Sequence, residues 1–162
     1  MKLLAVKDCL TLLNLAAGFA ALVAALRGEF LFAGGFIVLG LVFDALDGRV
    51  ARAVRGGDNF GRELDSLADV VSFGVAPAFL AVALWGGAWV AACGALYACA
   101  AAVRLAKFNI QTAKGVFFGL PSPVAAVVAV AVTLFSSVWF VVAGALFVLA
   151  FAMLADFRVP KI

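Results

Sequence analysis

Residues Val70 to Val103 read VVSFGVAPAFLAVALWGGAWVAACGALYACAAAV, 34 positions without a charged side chain. A helix needs about 20 apolar residues to cross a hydrocarbon layer about 30 Å thick. The stretch is too long for one crossing and long enough for two, with Gly86-Gly87 as the natural turn between them. Three more charge-free windows flank it: Cys9–Leu26 (18 residues), Phe30–Phe43 (14) and Gly115–Ala155 (41). The last again asks for two crossings, bent near Ser136-Ser137. Phe30–Phe43 is too short alone, so its helix continues into the charged residues that follow.

Of the 162 residues, 67% are hydrophobic and 13% charged, against about half and about a quarter in a soluble domain. That composition excludes a water-soluble globule, and it excludes intrinsic disorder, which needs low hydrophobicity and high net charge. A membrane barrel is excluded too, because its strands alternate apolar and polar residues and these runs do not. The expectation is an all-α polytopic membrane protein, a single domain over residues 1–162. Residues 1–8 are expected at the interface, and six transmembrane helices near 9–26, 30–54, 62–85, 87–107, 122–136 and 138–156.

The basic residues orient that bundle. Lys2, Lys7, Arg49, Arg52, Arg55, Arg62, Arg104, Lys107, Lys114, Arg158 and Lys161 fall on the side of the two termini, and Arg27 alone falls opposite. The expected placement is therefore multi-pass in the cell membrane, with the charged segment between helices two and three facing the cytoplasm. The net charge of +3 fits attraction to anionic lipid headgroups and is not a nucleic-acid signal. Cys9, Cys93 and Cys99 are odd in number and scattered, and the chain has no histidine. They read as small packing residues, with neither a zinc site nor a disulfide framework.

Between Asp44 and Asp69 the composition inverts, gathering Asp44, Asp47, Arg49, Arg52, Arg55, Asp58, Arg62, Glu63, Asp65 and Asp69. Asp44 and Asp47 are three apart and share a helix face, which Gly48 and Ala51 continue. Asp65 and Asp69 are four apart on the next helix, with Gly61 one turn earlier, and Gly56-Gly57-Asp58-Asn59 marks the turn between. Closing that hairpin gathers four carboxylates near the membrane surface. Asp58, Glu63, Arg49 and Arg55 read as interfacial charges in structural ion pairs. Asp44 follows 14 apolar residues and Asp69 precedes 34, and an acid at a helix centre costs about 2.5–3.5 kcal/mol, less near the ends. Four facing like charges repel unless cations lie between them. Asp44, Asp47, Asp65 and Asp69 without His or thiolate favour a hard ion, Mg²⁺ or Mn²⁺. Two such ions would suit phosphoryl transfer. Gly48, Ala51 and Gly61 either let helices approach closely or leave room for a flat ligand, with Arg52 placed to meet a phosphate.

Written out, the island is Asp44-x2-Asp47-Gly48-x2-Ala51-Arg52-x8-Gly61-x3-Asp65-x3-Asp69. It resembles the signature of the CDP-alcohol phosphatidyltransferases at every fixed position and gap. Thr11-Leu12-Leu13-Asn14-Leu15, Asp65-Ser66-Leu67-Ala68-Asp69 with the following Val70 to Pro77, Arg104-Leu105-Ala106-Lys107-Phe108-Asn109 and Phe118-Gly119-Leu120-Pro121-Ser122-Pro123 resemble the phosphatidylserine synthases of that family. The resemblance implies attack of the L-serine hydroxyl on CDP-diacylglycerol, or CDP-archaeol, with release of CMP and a product that stays among the membrane lipids. It implies that Asp44, Asp47 and Asp65 hold one divalent ion, that Asp44, Asp65 and Asp69 hold a second, and that Asp69 is the catalytic base. It further implies that Gly48, Ala51, Arg52 and Gly61 line the CDP-lipid site, with Thr11 and Asn14 contributing from helix one, and that the protein is a homodimer. Arg104, with Lys107 and Asn109 nearby, is the candidate for binding the acceptor carboxylate; the alternative is that Arg104 and Lys107 are positive-inside anchors.

Two rival acceptors within the family are glycerol 3-phosphate and inositol phosphate, whose dianions want a denser basic cluster than Arg104, Lys107 and Lys114. A cation transporter is the rival from another class, but its acids should continue across the membrane, whereas these collect near one face. A membrane scaffold without activity is the remaining alternative.

Overall fold

The structure, a computed structural model, describes the backbone of residues 6–53, 59–110, 117–155 and 158–159, and the side chains of 8–49, 60–109 and 119–155. Helix α1 (Val6–Leu26) is apolar along its length until Arg27-Gly28-Glu29 stops it. The Glu29 N–H reaches the Ala24 carbonyl at 2.9 Å and the Gly28 N–H reaches Ala25 at 3.1 Å, the paired bonds of a Schellman cap. The cap needs a left-handed residue, and Gly28 supplies it with φ 78°. Helix α2 (Phe30–Ala53) then returns along α1.

The third rod is α3 (Asn59–Asp69), a π-helical turn Val70–Val75 and α4 (Ala76–Trp85) in unbroken succession. Its wide turn has a cause in the sequence. Pro77 has no N–H for the Phe73 carbonyl four residues back, and its ring crowds that carbonyl. The helix widens, so that the Ala76 N–H bonds to Val71, five residues back. The Tyr97 hydroxyl, from the neighbouring helix, donates to the freed Phe73 carbonyl at 2.9 Å. A backbone carbonyl in hydrocarbon needs such a partner.

Gly86 and Gly87 turn the chain into α5 (Ala88–Ile110). Beyond it come α6 (Ser122–Phe135) and α7 (Trp139–Leu154), separated at Ser136-Ser137. Two-residue strands β1 (Phe117–Phe118) and β2 (Arg158–Val159) pair antiparallel, Phe117 opposite Val159. Four helices are long and apolar enough to cross a membrane, at Asp8–Leu26, Phe30–Arg49, Phe60–Trp85 and Ala88–Asn109; α6 and α7 are apolar but shorter, with 14 and 16 residues. The result is the all-α polytopic membrane architecture expected from the charge-free windows. Of the interfacial segment expected at 1–8, residues 1–5 lie outside the described residues, and Val6–Asp8 form the first turn of α1.

The interior is built from small side chains. Ala21, Ala24, Ala25 and Ala33 pack with Ile37, Phe73, Leu80 and Ala126 where α1, α2, the third rod and α6 meet. Ala81, Tyr97, Ala100, Ala101, Ala125, Ala129 and Leu146 form a second core joining α4 to α7. Large apolar residues such as Leu26, Leu31, Phe32, Trp89 and Phe135 point outward. This inversion suits lipid, where helices gain little by hiding apolar surface and associate through close contact of small residues.

Candidate functional site

The last turns of α2 and the first turns of the third rod meet at one end of the bundle. There Asp44, Asp65 and Asp69 each offer a carboxylate oxygen, and the three oxygens lie within 4.8 Å of one another. Asp44 and Asp65 are partly exposed, and Asp69 is buried. Asp47, also buried, is one turn after Asp44 and close enough to repel all three. At an effective dielectric of about 20, two full charges at this spacing repel by about 3–4 kcal/mol. Carboxylates gathered this closely suit a cation. Its donors are carboxylate oxygens without nitrogen or sulfur, the set that a hard divalent ion prefers, so the residues fit such an ion.

Helix α1 holds these acids in place. The Thr11 hydroxyl donates to Asp47 Oδ2, and the Asn14 amide donates to Asp69 Oδ1 at 3.0 Å. Both side chains are buried, and both are turned onto carboxylates. The Asn14 backbone carbonyl in turn accepts the Ser72 hydroxyl at 2.9 Å. Gly40 makes room for this arrangement, since a Cβ there would stand 2.9 Å from Asn14 Oδ1. Asn14 Oδ1 is buried without a hydrogen-bond partner among the described residues.

The remaining candidates are spread around this centre. Gly48 lies half-buried on α2, and Gly61 lies buried near the start of α3. Ala51 and Arg52 belong to α2, but their side chains lie outside the described residues, as does Lys114. On α5, Arg104 is close enough to Asp69 to be attracted by it, and its Nη1 donates to Ser122 Oγ at 2.9 Å. Asn109 Nδ2 donates to Ser66 Oγ at 2.9 Å, which ties the end of α5 to α3 between the two aspartates. Lys107 is exposed.

Three supporting residues had no role assigned from the sequence: Ser72 and Ser122, which lie within the stretches that carry the resemblance, and Tyr97. Each carried a signal. Ser72 is a polar residue three positions after Asp69 inside a charge-free run, and Tyr97 is the chain's one tyrosine, in the middle of a membrane helix. Ser122 lies between two prolines.

The profile of the CDP-alcohol phosphatidyltransferase family matches residues 4–155. A CDP-diacylglycerol–serine O-phosphatidyltransferase of Methanocaldococcus jannaschii is 35% identical over 160 residues, covering 99% of this chain and 76% of the relative. An archaetidylserine synthase of Methanothermobacter thermautotrophicus is 38% identical over 136 residues, 76% of this chain and 55% of that protein. A CDP-diacylglycerol–serine O-phosphatidyltransferase of Saccharomyces cerevisiae is 39% identical over 143 residues, 76% of this chain and 51% of the yeast protein. The chain thus spans about three quarters of the first relative and about half of the other two. With a profile match over nearly its whole length and three of the four signature acids gathered at one site, the chain belongs to the CDP-alcohol phosphatidyltransferase family.

Proposed function

We propose that this protein transfers the phosphatidyl, or archaetidyl, group of a CDP-linked lipid to the hydroxyl of L-serine and releases CMP. The observation that carries the reading is the convergence of Asp44, Asp65 and Asp69, from two helices, within 4.8 Å. The names of the relatives support serine as acceptor. In the reaction the serine oxygen forms a bond to the phosphorus that bears the lipid. The bond from that phosphorus to CMP breaks, and CMP leaves with the electron pair.

Asp69 accepts the hydroxyl proton as general base. Asn14 steadies it by holding Oδ1, which leaves Oδ2 for the proton. Asp44, Asp47 and Asp65 hold one divalent ion, Mg²⁺ or Mn²⁺, and Asp44, Asp65 and Asp69 hold a second. When bound, these ions supply positive charge against the diphosphate and the charge developing on CMP. Gly48, Ala51, Arg52 and Gly61 form the CDP-lipid site, and Arg104, with Lys107 and Asn109, receives the serine carboxylate. The site faces the cytoplasm from the cell membrane, and the protein works as a homodimer.

Among the described residues, the basic groups at the end of α5 are Arg104 and Lys107. That is sparse for a phosphorylated acceptor. Among the described residues, α4, α5, α6 and α7 carry no acid, which disfavours an ion path. The test is CMP release by the purified protein in detergent with CDP-diacylglycerol and Mg²⁺ or Mn²⁺. L-serine, glycerol 3-phosphate and inositol phosphate are supplied in parallel, with Asp69→Asn as control. Release that needs serine and metal and is lost in the variant supports the reading. Release with another acceptor overturns the choice of serine, and no release with any of them, on CDP-diacylglycerol or on CDP-archaeol, overturns the enzyme.

A further inference from the structure

Gly119 and Leu120, which lead into α6, are held against the end of α7. Gly119 has φ 67°, and a Cβ there would meet the Met153 carbonyl at 2.5 Å and those of Ala152 and Ala155 at 3.1 Å. The backbone therefore presses on the last turn of α7 with no space for a side chain. One residue later the Leu120 N–H donates to the Ala152 carbonyl at 3.0 Å. Pro121 and Pro123 then restrict the backbone on either side of Ser122. What this framework presents is one hydroxyl. Ser122 is fully buried, and its Oγ accepts Arg104 Nη1 at 2.9 Å.

Arg104 is the group that this hydroxyl orients. Its guanidinium lies within the attraction of Asp69. With Nη1 on Ser122, its Nε is buried without a hydrogen-bond partner among the described residues. A buried donor left unpaired is costly, about 1–3 kcal/mol. The Nε–Nη2 edge is the side-on fork that meets a carboxylate with two parallel hydrogen bonds. A guanidinium left to rotate would hold that fork in one orientation only part of the time, whereas the bond from Nη1 to Ser122 fixes its orientation.

We propose that Ser122 is a positioning residue for acceptor selection: by holding Arg104 Nη1 it aims the Nε–Nη2 edge at the carboxylate of an amino-acid acceptor. The inference rests on the reading that serine is the acceptor. Arg104 touches the acceptor; Ser122 acts through Arg104. Removing the tether weakens recognition of the acceptor carboxylate and leaves handling of the CDP-lipid intact.

The experiment compares wild type, Ser122→Ala, Ser122→Thr and Arg104→Lys in detergent. The KM for L-serine, the KM for CDP-diacylglycerol and kcat are measured for each, and serinamide, which lacks the carboxylate, is run beside L-serine. Loss of one hydrogen bond to a charged group predicts a serine KM raised about tenfold or more in Ser122→Ala. The CDP-diacylglycerol KM stays within about twofold, and the preference for L-serine over serinamide shrinks by the same factor as the serine KM rises. Ser122→Thr, which keeps the hydroxyl, restores the preference. Arg104→Lys keeps the charge without the fork and shows the same serine-selective loss, so the inference stays testable if Ser122→Ala does not accumulate. A Ser122→Ala enzyme whose preference for serine over serinamide is unchanged, or whose two KM values rise together, overturns the proposal. Wild type that ignores serine altogether overturns instead the reading on which it rests.

Discussion

Gly18 gives the sharpest test of how α1 supports the acids. It lies one turn beyond Asn14, facing the π-helical turn of the third rod, and a Cβ built there would stand 2.5 Å from Ser72 Oγ and 2.9 Å from Ser72 Cα. Rotating the serine side chain away relieves the first contact, but it breaks the hydroxyl's bond to the Asn14 carbonyl. It leaves the second untouched, because Cα belongs to the backbone. Bringing that contact from 2.9 Å to the 3.4 Å where ordinary packing begins asks the two helices to part by about 0.5 Å. The bond one turn away, from Asn14 to Asp69 Oδ1, is already 3.0 Å long. A further half-ångström takes it to the edge of hydrogen bonding.

Gly18→Ala is therefore expected to lower stability by about 1–3 kcal/mol through overpacking. It is expected to lower CMP release by about 10- to 100-fold, because a catalytic group displaced by a fraction of an ångström loses its alignment. The assay pairs CMP release with thermal unfolding in the same detergent. Gly35→Ala and Gly144→Ala are the controls, since a Cβ at either meets nothing within 4 Å. Both should be as active as wild type and up to about 1 kcal/mol more stable, as a helical Gly→Ala change allows. If Gly18→Ala proves as active as those controls, the picture of α1 as a clamp on Asp69 is wrong.

Asp69→Asn should lower release by about 10²–10⁴-fold, the range expected for a general base. Its melting temperature in EDTA should not fall, because one of several mutually repelling charges has gone; a marked fall would make Asp69 structural instead. Chelation should abolish release, and restoring Mg²⁺ or Mn²⁺ to about 100 times its dissociation constant should recover about 2.7 kcal/mol of stability. Asp44→Asn and Asp65→Asn should lose most of that metal-dependent gain, and an equal gain in all three proteins would place the ion elsewhere. Tyr97→Phe takes the donor from the Phe73 carbonyl. It should cost about 1–3 kcal/mol of stability, and an unchanged melting temperature would mean that the π-helical turn satisfies this carbonyl without help.

How far the sequence was legible follows from which physical signals are local. The windows and their breaks were legible because charge and glycine act where they stand: Arg27-Gly28-Glu29 ends α1 through its own backbone bonds, and Gly86-Gly87 turns the chain between α4 and α5. Asp44, Asp47, Asp65 and Asp69 were legible as a group because helical spacing puts each pair on one face, and the hairpin brings three of them, Asp44, Asp65 and Asp69, within 4.8 Å. Roles that depend on a third helix were not legible. The family resemblance named Thr11 and Asn14 as contacts for the CDP-lipid, and only the packed bundle turns them onto Asp47 and Asp69. The same holds for Pro77. Its lost N–H is readable from the sequence, yet the answering hydroxyl comes from Tyr97, 20 residues later on another helix.

These long-range partners share a direction. Thr11 and Asn14 from α1, Ser72 and Tyr97 at the π-helical turn, and Ser122 tethering Arg104 all act on the acids or their surroundings. None is charged except Arg104, and each hydrogen bond named joins two helices or rods. In a bundle whose apolar faces gain little from meeting one another, these bonds give the helices a register. The register they impose is the one that brings the carboxylates together. Repulsion among the acids would otherwise push α2 and the third rod apart, and the neutral clamps resist it from the side. Clamps of this kind hold the carboxylates through bonds that involve no cation, so they lower the reorganisation that would oppose binding an ion.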